Sequence, residues 1–566
     1  MIRFPGFQTH GIPDMRPSTF LLPACLFVGL LAACEAPGPR SDATVAPAPP
    51  LFDNFGELHR DIGTSVPAAQ RYFDQGLRLA YGFNHEAAGR AFAEAAHLDP
   101  ACAMCVWGQA LVLGPNINLP MSPDLAPRAT ALAHQAQSLA GNAKPVDRAL
   151  IDALVVRYAD PAPADRKPLD RAYADAMAKV VAAFPTDDDA AALYAESLMD
   201  LSPWNYWSPA GTPTGDTPII VAQLEGVLQR NPQHIGAIHY YIHAVEASQS
   251  PDRAEAVADT LGGLAPGSGH LVHMPAHIYI RTGRYHDASL ANFRATTADK
   301  AFLAVCGGSN GAYPLGYVPH NWHFAAMTAG LHGSRALAMQ AADQTAQRAV
   351  IDQLDALNFM QNFLVTPLYA EVRFGQWDTV LAQPQPPGDR PYPTAIWHFA
   401  RGLAYTRQGN LPAARTELAA LEQTARDPAM EKLVLGDINR ADRLLAVAAS
   451  LLRGELDLAG GKRDAGIAAL RNAVKVEDTL NYNEPADWPL PARMYLGAAL
   501  LDAGQPREAA EVYREDLHKY PKNGWSLYGL AQAQRAMGET SAAAETEAQQ
   551  KAAWQWADTP LTASRF

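Results

Sequence analysis

The strongest constraint on the fold of this 566-residue chain is a pattern that repeats about every 34 residues. Leu500–Gly504 followed by Ala509-Ala510 recurs as Gln534–Gly538 followed by Ala543-Ala544. Glycine lets the turn between two antiparallel helices reach a positive φ, and small alanines let the helices pack closely. The same turn pattern occurs at Gly283, Gly333, Gly409 and Gly461. A repeat of this length predicts a solenoid of stacked helix pairs.

The hydrophobic pattern between these turns is helical. Apolar residues recur at spacings of three and four from Val66 onward, and no sustained alternation with a period of two is present. The predicted fold class is therefore all-α. Three stretches rich in Gly, Pro or aromatic residues interrupt the pattern and are predicted loops: 202–218, 306–319 and 383–393.

These residues resemble the tetratricopeptide repeat superfamily, whose unit is a pair of antiparallel helices. The best match runs from Leu77 to Pro100. The strings His273–Tyr279, Pro319–Phe324 and Asn523–Leu527 are similar to those of bacterial tetratricopeptide repeat lipoproteins of unassigned biochemical role. The resemblance implies a tetratricopeptide-type α-solenoid that binds a protein or peptide partner in a concave groove. It does not imply an enzyme, since a fold by itself does not fix a function.

The N-terminus has the pattern of an export signal. An apolar run in residues 20–33 ends in Leu31-Ala32-Ala33-Cys34, which resembles the lipobox of bacterial lipoproteins. The resemblance implies a signal peptide over 1–33, lipidation of Cys34 and a tether over 34–65. We therefore expect a lipid-anchored protein of the cell envelope that faces the periplasm. Glu35 is not the Asp associated with inner-membrane retention in some bacteria, which favours the outer membrane.

The remaining chain divides by its patterns into three helical regions. N-terminal repeats are predicted over 66–232, histidine-rich repeats over 233–350 and C-terminal tetratricopeptide repeats over 351–566. A hydrophobic content of 48% excludes intrinsic disorder, and a net charge of −13 excludes a polybasic nucleic-acid binder. We therefore expect protein and membrane partners, and no nucleic acid.

Two cysteines stand three residues apart in an otherwise cysteine-poor chain. Cys102 and Cys105 follow Asp99-Pro100, a predicted helix start, and an oxidising compartment permits a disulfide between them. Three interpretations remain open for the pair: a structural disulfide, metal ligation or redox catalysis.

Histidine is distributed unevenly along the chain. Ten of the 17 histidines fall between His234 and His332. His239 and His243 are four residues apart and share a helix face, and one repeat later stand His273 and His277. Aligning the next unit by its turn glycine, Gly333 against Gly283, places His323 opposite His273 and His320 opposite His270. The pattern predicts ladders of imidazoles across three successive helices.

Such ladders can close on a common metal ion, because imidazole nitrogens bind transition metals at about 2.0–2.1 Å. The predicted ligands are His239, His243, Glu246, His273, His277, His320 and His323. Imidazole with carboxylate suits copper, zinc or iron, and a nearby Met or Cys306 would favour copper. The alternative is that these histidines pack the repeats together or line a peptide-binding wall.

Two functions therefore remain open from the sequence. The first is a membrane-anchored scaffold that binds a protein or peptide. The second is a metal-dependent protein or oxidase that uses the solenoid to hold a histidine-rich site. No catalytic motif distinguishes them, so the sequence leaves open whether the protein is an enzyme.

Overall fold

The computed structural model describes residues 48–208, 210–306 and 311–566. The predicted signal peptide over 1–33, the predicted lipidation site Cys34 and the first part of the tether lie outside the described residues. Ala48–Phe566 forms one body.

Helices arranged as successive antiparallel pairs make up almost all of this body. The first six pairs are α1 (Pro67–Tyr81) and α2 (His85–Leu98), α3 (Ala103–Leu111) and α4 (Ala126–Leu139), α5 (Pro145–Val155) and α6 (Lys167–Ala183), α7 (Asp188–Met199) and α8 (Thr217–Arg230), α9 (Ile235–Val245) and α10 (Glu255–Leu264), and α11 (Gly269–His273) with α12 (Pro275–Thr282) against α13 (Tyr285–Cys306). α11 and α12 act as one broken helix, because Pro275 has no amide hydrogen to continue the ladder.

Six further pairs complete the chain. They are α14 (Val318–Leu331) and α15 (Arg335–Ala346), α16 (Met360–Arg373) and α17 (Trp377–Ala382), α18 (Pro391–Arg407) and α19 (Leu411–Ala425), α21 (Ala441–Ala459) and α22 (Arg463–Glu477), α23 (Ala492–Asp502) and α24 (Pro506–Lys519), and α25 (Gly524–Ala536) and α26 (Thr540–Ala553). The first helices of these pairs also pack on one another in sequence. The structure therefore has the tetratricopeptide-type all-α solenoid fold predicted from the sequence.

Short elements join the pairs. The α-helix α20 spans Pro428–Lys432, and the two strands β1 (Val434–Leu435) and β2 (Asn439–Arg440) pair antiparallel. One-turn 3₁₀ helices span Pro123–Leu125, Ala140–Asn142, Pro251–Ala254 and Ile351–Gln353, and a π-helical turn spans Tyr313–Tyr317. The prediction of a loop over 306–319 is therefore wrong in part, because the end of this stretch is helical and continues into α14.

Local chemistry sets where the helices begin and end. Side-chain oxygens cap helix starts, as where Asn410 accepts from the amide of Ala413 at 3.3 Å. The predicted turn glycines have left-handed backbone, with φ of +77° at Gly283 and Gly409. Within the described residues no helix is both long enough and apolar enough to cross a membrane.

The last pairs contact the histidine-rich pairs directly. The indole of Trp525 donates to the carbonyl of Gly330 at 3.0 Å, and the Tyr285 hydroxyl donates to the carbonyl of Pro521 at 2.8 Å. The chain therefore turns back on itself, and the histidine-rich pairs are packed between earlier and later repeats.

Candidate metal centre

Six histidines from α9, α11, α12 and α14 lie close together, next to the C-terminal end of α1. We call them the six-histidine cluster: His239, His243, His270, His273, His277 and His320. Five of these side chains are at most 2% exposed, and His320 is half-buried. So deep a burial of five polar rings requires partners for their nitrogen atoms.

Two of the rings have their Nδ1 atoms held by neutral oxygen acceptors. His239 Nδ1 lies 2.6 Å from the backbone carbonyl oxygen of Tyr81, and His273 Nδ1 lies 2.7 Å from Asn292 Oδ1. Asn292 Nδ2 donates to the carbonyl of Ala288 at 2.8 Å, which fixes the amide with its oxygen toward the histidine. An oxygen that can only accept places the proton on Nδ1, so the lone pair of each neutral ring is on Nε2.

Glu246 holds two more rings in the same way. Its Oε1 lies 2.7 Å from His243 Nδ1 and its Oε2 lies 2.6 Å from His277 Nδ1. Burial would raise the pKa of Glu246, but attraction to His277 and the two hydrogen bonds outweigh burial and hold the pKa below its usual range. The buried carboxylate therefore orients one ring from α9 and one from α12 with both Nε2 atoms turned inward.

The inward Nε2 atoms approach one another closely. They are 3.1 Å apart between His239 and His270, 2.8 Å apart between His273 and His277, and 3.2 Å apart between His273 and His320. His243 Nε2 is buried with no hydrogen-bond partner among the described residues. Where Nδ1 carries the proton, two lone pairs face each other, an arrangement that a cation between them stabilises.

Protonation of the rings does not supply that cation. Burial lowers the pKa of His239, His270 and His273 well below its usual range, and the neighbouring imidazoles lower it further. The same causes act on His320. These four rings are therefore neutral at pH 7 and able to act as metal ligands.

The cluster divides into two triads. His239, His243 and His270, which we call triad A, bring one ligand atom each within 4.8 Å of one another, as do His273, His277 and His320, which we call triad B. His243, Glu246 and His277 also satisfy this distance. We assign that third set to hydrogen bonding, because its contacts of 2.6–2.7 Å are those of charge-assisted N–H···O bonds.

Aromatic rings enclose the cluster. Ring centroids are 4.5 Å apart between Phe83 and His239, 4.7 Å between Tyr317 and His270, and 4.9 Å between Phe324 and His277. Trp204, from the predicted loop 202–218, contacts His243 edge to face at 5.1 Å. The triads therefore lie in surroundings of low polarity, where interactions between charges and dipoles are strong.

A residue far along the chain completes the hydrogen bonding. The hydroxyl of Tyr482, in the segment between α22 and α23, donates to Glu246 Oε2 at 3.1 Å. The guanidinium of Arg281 lies 5.5 Å from the centroid of the Tyr482 ring and donates to the backbone carbonyl of Glu246 at 3.0 Å. Glu246 is thus held by α12 and by the C-terminal repeats at once.

The triads differ from the predicted ligand set at three residues, because they include His270 and leave out Glu246 and His323. His323 does not join either triad; its ring packs against Phe363 at 5.3 Å, and His320 takes the position beside His273. The glycine alignment assumed unbroken α-helix, but Pro275 breaks the helix between His273 and Gly283, whereas α14 is unbroken over Val318–Leu331. The break changes the rotation of the side chains before it relative to those after it.

The sequence predicted one common metal ion, whereas the histidine nitrogens form two triads, each of which is a separate candidate site. Among the described residues, the groups that meet the distance do not include Cys306. Cys306 is a half-buried free thiol at the end of α13. Its predicted contribution toward copper therefore has no geometric basis.

Cys102 and Cys105 form a disulfide at the start of α3, with their sulfur atoms 2.05 Å apart. Both are buried, and Cys102 Sγ accepts from the amide of Cys105. In this state neither sulfur is a thiolate, so the pair does not ligate a metal.

Sequence reasoning missed several residues of the site. His270 belongs to triad A, and its spacing of three from His273 was a usable signal, since both face the same side of a helix. Asn292, the carbonyl of Tyr81 and Tyr482 carried no signal, because amide, carbonyl and hydroxyl groups are common and their partners are distant in the chain.

Comparison with solved structures finds likenesses of low identity. The human IFIT1 dimer with m7Gppp-AAAA is 11% identical with a TM-score of 0.32, over 86% of this chain and 90% of that one. Yeast Tom70 is 12% identical with a TM-score of 0.31, over 84% of this chain and 96% of that one. The Cut9-Hcn1 hetero-tetramer of the APC/C is 11% identical with a TM-score of 0.29, over 87% and 74%. No protein-family model and no curated protein sequence matches the chain.

Proposed function

We propose that this protein binds a transition metal through the six-histidine cluster and that the solenoid serves to hold this centre. One observation carries the proposal: four rings have Nδ1 hydrogen-bonded to fixed oxygen acceptors and Nε2 turned toward the other rings. Acceptors of this kind orient histidine ligands in metal sites and raise their basicity.

The alternative of histidines that only pack the repeats explains the burial less well. A packing histidine hydrogen-bonds a carbonyl or carboxylate with one nitrogen and donates or accepts through the other. Here His273 and His277 both have Nδ1 bonded to an oxygen, so their Nε2 atoms, 2.8 Å apart, face each other with two lone pairs and no proton to share. Ligands of one ion at bonds of about 2.0–2.1 Å lie at separations of about 3 Å. The cluster is therefore close to the spacing that a bound ion requires.

Elemental analysis tests the proposal directly. The chain should be purified through a tag without histidine, both as isolated and after exposure to copper, zinc and iron salts. We expect at least one equivalent of a transition metal per chain, and the double variant His273→Ala/His277→Ala should lose metal. His134→Ala, an exposed residue of α4, is the matched control and should retain it. Metal-free wild-type protein after all three exposures would contradict the proposal.

A second candidate function is a lipid-anchored, periplasm-facing scaffold that binds a protein or peptide in a groove of the solenoid. The observation that favours it is the stack of twelve helix pairs in the described part of the chain, an architecture suited to extended binding surfaces. The lipobox-like Leu31–Cys34 favours attachment to the envelope membrane, with the outer membrane preferred.

The anchor has its own experiment. Expressed in a bacterium with an alkyne-labelled fatty acid, the chain should take up label and sediment with membranes, whereas Cys34→Ser should do neither. Cys306→Ser is the control and should label normally. An unlabelled wild-type chain would refute lipid anchoring.

Cross-linking followed by purification of the chain tests the scaffold. Recovery of no other protein in a constant ratio to the chain would refute the scaffold.

A further inference from the structure

Resting on the proposed metal binding, we infer that the centre holds two copper ions, one in triad A and one in triad B, bound as copper(I). Three features of the cluster support two copper(I) sites: its division into triads, the chemistry of its ligand atoms and the aromatic surroundings of its rings.

The number follows from the geometry. An ion bound at about 2 Å reaches only ligand atoms that lie within about 4 Å of one another. The sets of described side chains whose ligand atoms come within 4.8 Å have three members each. A third set joins His243 and His277 through Glu246, but no set among the described residues holds all six rings, so one ion does not reach all the nitrogens of both triads.

The two triads are also held as separate units. His239 is oriented by the Tyr81 carbonyl and His273 by Asn292, so each triad has an acceptor of its own. Glu246 is the shared element, since it orients His243 of triad A and His277 of triad B. The carboxylate thus links two ions without binding either of them.

The ligand chemistry favours copper. Every ligand atom in the two triads is an imidazole nitrogen, a ligand that suits copper, zinc, iron and nickel. Zinc bound by three histidines takes a water or substrate as a fourth ligand. Copper(I) accepts three nitrogen ligands alone, which suits triads enclosed by Phe83, Tyr317 and Phe324.

Charge burial points to the monovalent state. Two divalent ions would bring four positive charges into surroundings where Glu246 is the carboxylate that contacts the rings, whereas two copper(I) ions bring two. Uncompensated buried charge is costly, so the smaller total is favoured.

Anaerobic titration of the metal-free full chain with copper(I), supplied as its acetonitrile complex, counts the ions against the chelator bicinchoninate. Thiol reductants are left out so that the Cys102–Cys105 disulfide stays intact, and a Cys306→Ser background removes the free thiol. We expect two copper(I) per chain. His270→Gln and His320→Gln should each bind one, and their double variant should bind none with comparable affinity.

The matched control is His323→Gln, on the same helix as His320 and three residues away, which should bind two. A tenfold excess of zinc should not displace the copper. A wild-type stoichiometry of one, loss of both ions in either single variant, or displacement by zinc would each overturn the inference while metal binding itself stands. Binding of no metal would refute the proposed function as well. The wild-type count decides the question if a variant fails to fold.

Discussion

At the scale of single residues, the chemistry of the cluster is decided by acceptors rather than by the histidines themselves. An imidazole offers either nitrogen to a metal, and the hydrogen bond at one nitrogen selects the other. A backbone carbonyl, an amide oxygen and a carboxylate make this selection for four of the six rings. Glu246 makes it twice, which gives one side chain a disproportionate influence on the centre.

Replacing Glu246 by Gln should weaken metal binding by about 10–100-fold, the usual effect of losing a residue that orients a ligand. Glutamine has one acceptor oxygen, so either His243 or His277 loses its partner. Competition with a chelator measures the affinity. Glu417→Gln is the control, because Glu417 holds His398 Nδ1 at 2.6 Å outside the cluster and should leave metal affinity unchanged. Equal affinities for wild-type and Glu246→Gln would argue against the assigned role.

His332, a buried histidine outside the cluster, makes the folded protein less stable as the pH falls. Burial, and then the charge of His286, lowers the pKa of His332 to about 4. The unfolded chain takes up this proton near pH 6.5, and the folded chain does not until about pH 4, so stability falls as the pH drops through this window. The loss from this group is about 2 kcal/mol at pH 5.

Urea unfolding of the metal-free protein between pH 7 and pH 5 measures the effect. His332→Gln should show a decline smaller by about 2 kcal/mol than wild type. His134→Gln, an exposed histidine, should decline as wild type does. Parallel curves for all three proteins would show that His332 does not titrate in this way.

At the scale of elements, the turn glycines differ in what surrounds them. Gly283 and Gly409 both have φ of +77°, so each avoids the strain that a side chain meets in left-handed backbone. A Cβ at Gly283 would lie 2.3 Å from the carbonyl oxygen of Pro521, whereas one at Gly409 would meet no described atom within 4 Å. The first turn is therefore also a contact between distant repeats.

The two alanine substitutions separate these effects. Gly409→Ala should cost about 1–2 kcal/mol of stability from backbone strain alone. Gly283→Ala should cost about 1–3 kcal/mol more, because the Pro521 carbonyl must move. Chemical denaturation of both variants gives the difference. Equal losses of stability would mean that the Pro521 carbonyl moves aside without a free-energy cost.

At the scale of the whole molecule, the centre links segments far apart in sequence. Its ligands lie on α9 to α14, its acceptors include a carbonyl at the end of α1, and Tyr482 reaches Glu246 from the C-terminal repeats. Metal binding should therefore stabilise the whole described body and not one repeat alone.

Metal at a free concentration of about 100 times Kd should raise the free energy of unfolding by about 2.7 kcal/mol per independent site. Scanning calorimetry should show one transition that moves upward as a whole. The double variant His270→Gln/His320→Gln should show no shift. A separate, unshifted transition for the C-terminal repeats would contradict the coupling through Tyr482.

The sequence by itself determined the local structure of this protein. The 34-residue recurrence and the left-handed turn at Gly283 follow from backbone sterics and hydrophobic periodicity, which act within a few residues. The pairing of His239 with His243 followed in the same way, because a helix turn places residues four apart on one face. The lipid anchor at Cys34 stays a prediction.

Tertiary structure alone decided which nitrogens meet. His320 rather than His323 stands beside His273, since the proline break changed the rotation of α11 relative to α12. Glu246 contacts His243, three residues away, and also His277, 31 residues away. Such contacts depend on angles between packed helices, and a shift of one residue turns a side chain by about 100° to another face. The division of six histidines into two triads is therefore a property of the packing and not of the spacing.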